Sequence, residues 1–151
     1  MEPKAHSQAI AATLDELEGE FELLGDDWEQ RYHHVIDLGR GLAPLSSAER
    51  SDANKVRGCA SQVWLVTEPQ TDGTLRFRGD SDAHIVRGLI AVLLRLFSGR
   101  QPAAILDFDA RAAFARLGLT STLSAQRSNG LVAMTERIRR DAAERARPEP
   151  A

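Results

Sequence analysis

The chain has 151 residues, 42% of them apolar and 27% charged, with a formal net charge of −3. Its size and apolar content suffice for one core that buries roughly 70% of the surface the unfolded chain exposes. The mildly acidic balance argues against a general nucleic-acid surface, which needs clustered Lys and Arg. A single cysteine rules out an internal disulfide framework. No apolar run approaches the ~20 residues of a membrane span, and Met1 to His6 lack the basic-then-apolar order of a secretory leader. The expectation is a cytoplasmic protein with no membrane association.

Apolar residues at Ile10, Leu14, Leu17, Phe21 and Leu24 recur in steps of three and four and draw one stripe on a helix, ended by Gly25. Asp26 or Asp27 can cap a second helix, in which Trp28, Tyr32, Val35 and Ile36 share a face until Gly39 and Gly41 break it. These two helices are expected to pack as an antiparallel pair, with Trp28 and Trp64 anchored in the core. Residues 42–55, polar and carrying Pro44, Ser46 and Ser47, read as a loop with one short helical turn. From Ser61 to Thr67 the period becomes two, with Val63 and Leu65 on one side and Gln62, Trp64 and Val66 on the other. Thr74 to Phe77 alternates as well, and Asp72-Gly73 between the runs is a strong turn signal. Lys55-Val56 is expected to add a short third strand.

Gly79-Asp80-Ser81-Asp82 reads as the start of a helix carrying Ile85, Leu89, Val92, Leu93 and Leu96, with Asp80 or Ser81 capping its amides. Gly99 stops it. Pro102 suits the first turn of a short helix through Leu106, and Phe108 to Leu117 forms another. A final helix runs from Ser124 through Leu131, Met134 and Ile138; its tail, Arg139 to Ala151, turns charged and proline-bearing and is expected to fray. With no repeat and no interior linker, the reading is one α+β domain in which N- and C-terminal helices cover a small antiparallel sheet of about three strands. Its core spans about residues 21–139, with 1–8 and 144–151 flexible.

Cys59 stands in Lys55-Val56-Arg57-Gly58-Cys59-Ala60-Ser61-Gln62-Val63-Trp64. Gly58 frees the backbone before the thiol, and Ala60 and Ser61 are small, so the cysteine lies on the turn leading into the strand. A loop suits a sulfur that must meet another protein's sulfur. A lone cysteine is also often a buried small hydrophobe, and the residues alone leave both readings open.

The pattern Asn54-x-Val56-x-Gly58-Cys59-x-Ser61-Gln62-Val63-Trp64 resembles the active-site signature of the SufE and CsdE cysteine-desulfuration proteins. The resemblance continues in Trp28-Glu29-x-x-Tyr32, Ile36-x-Leu38-Gly39, the run from Gly79 to Val92, and Leu123-Ser124-x-x-Arg127-Ser128-x-Gly130-Leu131-x-Ala133-Met134. The blocks are in family order over roughly Phe21 to Arg139. Ala60 stands where a glutamine is common. The resemblance implies an α+β fold shared with IscU scaffold proteins. It also implies sulfur transfer from a pyridoxal-phosphate cysteine desulfurase, of the SufS or CsdA kind, through Cys59 to an iron–sulfur scaffold complex of the SufBCD kind. Further implications are stimulation of the desulfurase, placement of the Asp80–Asp82 loop near the cysteine loop and the desulfurase contact surface, and occurrence as monomer or homodimer. Arg57, Gly58, Ser61, Gln62, Asp80, Asp82 and Arg127 are the candidate partner-contact and loop-support residues.

Sulfur exchange needs a thiolate, and a free cysteine of pKa ~8.5 supplies only a few per cent of it at pH 7. Lys55 and Arg57 could lower that value or could be plain solvated cations. Val56, Val63 and Leu65 could line a shelter for a persulfide or be ordinary core. A cluster wants about four thiolates against one here. His33 and His34 are adjacent and project from different sides of a helix, and with His84 they make a poor zinc set. No metal or cofactor is therefore expected, the pyridoxal phosphate belonging to the partner. Two rivals stay open: a cysteine hydrolase or peroxidase, which needs a His such as His84 beside Cys59, and an interaction module with an inert thiol. Arg127, a cation in the first turn of the last helix, opposes the helix dipole. It either pairs with a carboxylate at an interface or is solvated.

Overall fold

A computed structural model describes residues 3–119 and 123–146, with side chains from residue 9 onward. The elements in order are α1 (Pro3–Glu22), α2 (Trp28–Arg40), β1 (Val63–Pro69), β2 (Leu75–Ser81), α3 (His84–Phe97), α4 (Pro102–Asp107), α5 (Ala110–Arg116) and α6 (Ala125–Ala146). One hydrophobic cluster runs through all of them.

The α1 stripe is real: Ile10, Leu14, Leu17 and Phe21 are buried. Gly25, at φ +66°, turns the chain, and the Asp27 carboxylate accepts from the amides of Glu29 and Gln30 to start α2. What α2 packs against differs from the expectation. Its main partner is α3, and α1 rests on α3 and α4. Two glycines decide this. A Cβ at Gly88 would lie 2.0 Å from the Val35 carbonyl oxygen, and one at Gly39 would lie 2.5 Å from the Gly88 nitrogen. Only with both bare can the two backbones touch. Helices α1 and α2 still meet where the Phe21 and His34 rings form a T at 5.3 Å and His34 reaches Glu20. Trp28, at the first turn of α2, is 61% exposed and anchors nothing; Trp64 is buried, with the Arg50 guanidinium 5.5 Å from its ring centre.

Strands β1 and β2 pair antiparallel from Val63↔Ser81 to Pro69↔Leu75. Gly73, at φ +87°, closes their turn, and Asp72 accepts from the Thr74 amide and hydroxyl. The expected third strand is only a bridge: Leu65 N–H donates to Asn54 and Val56 N–H to Val63, both at 2.8 Å, before the chain turns away at Gly58. In turn β2 is longer than expected. Gly79, Asp80 and Ser81 are buried strand residues rather than a helix cap, and α3 starts after Ala83 with no side-chain cap.

Helix α3 carries ten buried residues because it is covered from several sides, by α2, the sheet, α1 and α6. Ser124 Oγ accepts the Arg127 amide at the start of α6, as a cap should. This helix does not fray at Arg139. Ala142 is fully buried, and Asp141 accepts the Thr67 hydroxyl at 2.7 Å, so α6 stays docked on β1. The tail beyond Ala146 lies outside the described residues. Among the described residues, no helix is long and apolar enough to cross a membrane.

Candidate functional site: the cysteine loop

Cys59 is half-buried on the short loop between the Lys55 bridge and β1. Gly58 sits at φ +89°, where a side chain is strained, and a Cβ there would come 3.4 Å from Ala133 of α6. This tight turn aims the thiol at α6, where Sγ lies 3.7 Å from the Gly130 carbonyl and donates to it. A Cβ at Gly130 would stand in ordinary van der Waals contact with Sγ, at 3.7 Å, so α6 runs close beside the sulfur.

Beside the sulfur is a cavity of about 150 Å³, well above the ~15 Å³ that admits a single water. Val86 and Leu89 of α3 and Met134 of α6 supply apolar wall; Ser61 and Arg127 supply polar wall. Val56, Val63 and Leu65 do not line it. They are ordinary core. Burial pushes the Cys59 thiol up from its ordinary value, and no cation offsets the effect. Of the two readings open for Lys55 and Arg57, a lowering of the thiol is not the one observed: Arg57 is exposed, and both line a different groove from the one beside Sγ. No histidine lines the cavity, and His84 is exposed. Among the described residues, no three His, Cys, Asp or Glu side chains gather as a metal site.

The loop is held at both ends. Asp82 accepts the Gln62 amide at 3.0 Å, so Gln62 takes part through its backbone. At the other end Arg137 donates to the carbonyls of Ala53 (3.1 Å) and Lys55 (3.3 Å) while paired with Asp141 at 3.3 Å. Arg137 escaped the sequence reading because its targets are carbonyls more than eighty residues away. Gly130 did carry a local signal, a glycine inside an otherwise regular helical run. Arg127 borders the cavity and makes no ion pair among the described residues.

Asp80 lies elsewhere and does another job. It is 1% exposed, and accepts from Arg50 (2.7 Å), the Leu45 amide (3.2 Å) and the Ser81 amide (2.8 Å). Arg87 adds charge: its Nε lies 3.3 Å away without hydrogen-bond alignment, while its Nη2 donates to the Leu42 carbonyl. Burial raises the Asp80 carboxyl, but Arg50, the two amides and the Arg87 charge together outweigh it and leave it below the ordinary range. Asp80 therefore fastens the 42–50 loop to the sheet.

Fold and site together define a class: an α+β protein built round one sheltered, loop-borne thiol. Residues 15–142 match the family described as SufE: Fe-S metabolism associated domain. An uncharacterized SufE-like protein of Rhizobium etli is 50% identical over 138 residues, 89% of this chain and 93% of that protein. One of Rhizobium meliloti is 47% identical over 133 residues, covering 86% and 94%. The chain belongs to the SufE family, a family of iron–sulfur metabolism. The solution structure of a hypothetical protein from Thermus thermophilus, 18% identical, shares the fold with a TM-score of 0.72 over 88% of this chain and 95% of that one.

Three outcomes follow from this geometry. Iodoacetamide should alkylate Cys59 with a pH midpoint above the ~8.5 of a free cysteine. Asp82→Ala removes a hydrogen bond contributing about 1 kcal/mol and should speed alkylation at pH 7.5 about fivefold; an unchanged rate contradicts the clasp. Asp80→Asn should cost about 2–3 kcal/mol at pH 7, read by urea unfolding. Because the native carboxyl is lowered, its contribution is complete above the ~3.9 of an unfolded Asp and is lost as pH falls through the native value. The gap between wild type and variant should therefore be flat from about pH 5 to 8 and close below about pH 4.

Proposed function

We propose that Cys59 accepts sulfane sulfur from a pyridoxal-phosphate cysteine desulfurase, stimulates that enzyme, and hands the sulfur to an iron–sulfur cluster scaffold complex. The observation that carries this reading is the half-buried Sγ facing a small cavity walled by apolar Val86, Leu89 and Met134 as well as by Ser61 and Arg127. A persulfide is easily reduced or oxidised, and such a cavity shelters it. Family membership in iron–sulfur metabolism supports the same reading.

In the exchange the Cys59 thiolate attacks the terminal sulfur of the donor persulfide. A new S–S bond forms at Cys59 as the donor's S–S bond breaks, and the donor cysteine leaves as thiolate. The terminal proton stays on the transferred sulfur, and no electrons are gained or lost by the pair. Delivery is the same step in reverse sense, with an acceptor thiolate attacking the terminal sulfur. The chain needs no cofactor of its own for either step; the pyridoxal phosphate belongs to the donor. A reducing cytoplasm keeps the acceptor thiol free.

At rest the raised thiol is protonated and a poor nucleophile. Activation then belongs to the docked state, in which the loop leaves the cavity and the thiol regains solvation. A hydrolase or peroxidase reading lacks a base, since no histidine lines the cavity. Incubating the protein with an active desulfurase and cysteine, without reductant, should add sulfur to its intact mass. The gain should vanish with dithiothreitol and be absent in Cys59→Ser. An unchanged mass beside a demonstrably active cognate enzyme overturns the proposal, and a Cys59→Ser protein that still stimulates the enzyme in full marks an interaction module instead.

A further inference from the structure

Farther along α6 from the sulfur cavity lies a second groove, of about 280 Å³, between that helix and the cysteine loop. Lys55 and Arg57 line it from the loop, Arg137 and Arg140 from the helix, and Glu136 is its one acid. The chain as a whole carries 22 acids against 19 Lys and Arg, so four cations against one acid is a local reversal of sign. These cations are also largely unspent. Arg137 is committed to Asp141 and two loop carbonyls. Lys55 and Arg57 pair with no carboxylate among the described residues, and Arg140, 64% exposed, only reaches Asp141 at 3.7 Å. By comparison, Arg78, Arg95 and Arg116 each close on two carboxylates.

Resting on the carrier reading, we infer that this cationic groove is a docking surface for an acidic segment of the sulfur-donating desulfurase, and that it sets which donor the chain accepts. The position supports this, because Arg57 is two residues from Cys59, so a carboxylate held here lies against the loop that must open. The chemistry points to a protein surface rather than a compact anion. Arg57 and Arg140, exposed on long stems, with half-buried Lys55 lining the same groove, recognise a field of charge, whereas a small anion needs rigidly converging donors. Nucleic acid fits poorly, because phosphates beyond the patch would meet a net negative chain. Rim charges of this kind act on association rate and partner choice.

The test uses the full chain and the pyridoxal-phosphate cysteine desulfurase encoded in the same genome, with Kd measured by calorimetry at about 50 and about 300 mM salt. Wild type should bind about tenfold more weakly at the higher salt. The double variant Arg57→Glu, Arg140→Glu should lose about tenfold at low salt and respond little to added salt. Arg76→Glu, an exposed cation at the far end of β2, should stay within about twofold of wild type. A double variant that binds like wild type, a wild type that does not bind or is indifferent to salt, an equal loss in Arg76→Glu, or competition by a mixed-sequence DNA duplex each overturn the inference. The salt series on wild type needs no variant to fold. Loading of Cys59 by the same enzyme is followed in parallel by mass. Loss of loading in wild type sinks the carrier reading itself, while intact loading with charge-blind binding sinks only the docking surface.

Discussion

A single buried carboxylate organises this molecule on the side from which the cysteine loop departs. Asp80, at the end of β2, gathers Arg50 and the Leu45 amide from the long 42–55 connection and Arg87 from α3. A charge so deeply buried is tolerable only when paired and hydrogen-bonded, and here the partners come from two separate stretches of chain besides its own strand. The connection is thereby laid across β1, where Arg50 covers Trp64 and Asn54 accepts from Leu65. Only after that anchorage does the chain reach Gly58 and turn the thiol inward.

Around the thiol, the forces oppose reactivity. Burial favours the neutral form, no cation offsets it, and α6 stands against Sγ through Gly130. The loop is nonetheless short and lightly held: one carboxylate–amide bond at Gln62 and one arginine at Ala53 and Lys55 flank it. A carrier of the proposed kind would gain from that balance. Alone it wastes little thiol on stray oxidants, and a partner that contributes modest binding energy at the loop can shift it outward.

Local signals were readable where they were answered locally. The α1 stripe, the Asp27 cap, the Asp72-Gly73 turn and the placement of Cys59 after a conformationally free glycine all appear in the fold as their residues imply. The misreadings share a cause in long-range contacts. Asp80 and Ser81 have the chemistry of helix caps, but arginines thirty residues upstream and seven downstream claim Asp80, and pairing with β1 keeps both in strand. The pairing of α2 was decided by Gly39 meeting Gly88, a contact no periodicity encodes. Trp28 obeys the helical period yet lies on a first turn that extends past the core. Lys55 and Arg57 are near Cys59 in sequence, but the turn at Gly58 sends the thiol to one side and the cations to the other.

The central claim is that Cys59 is kept quiet by burial and released by its partner. It is tested most directly by the rate of Cys59 alkylation, followed by mass, with and without a saturating desulfurase whose own active-site cysteine has been replaced. Burial at rest predicts slow alkylation of the free protein and a rate several-fold higher in the complex. An equal or slower rate in the complex, with binding verified in the same sample, would contradict it.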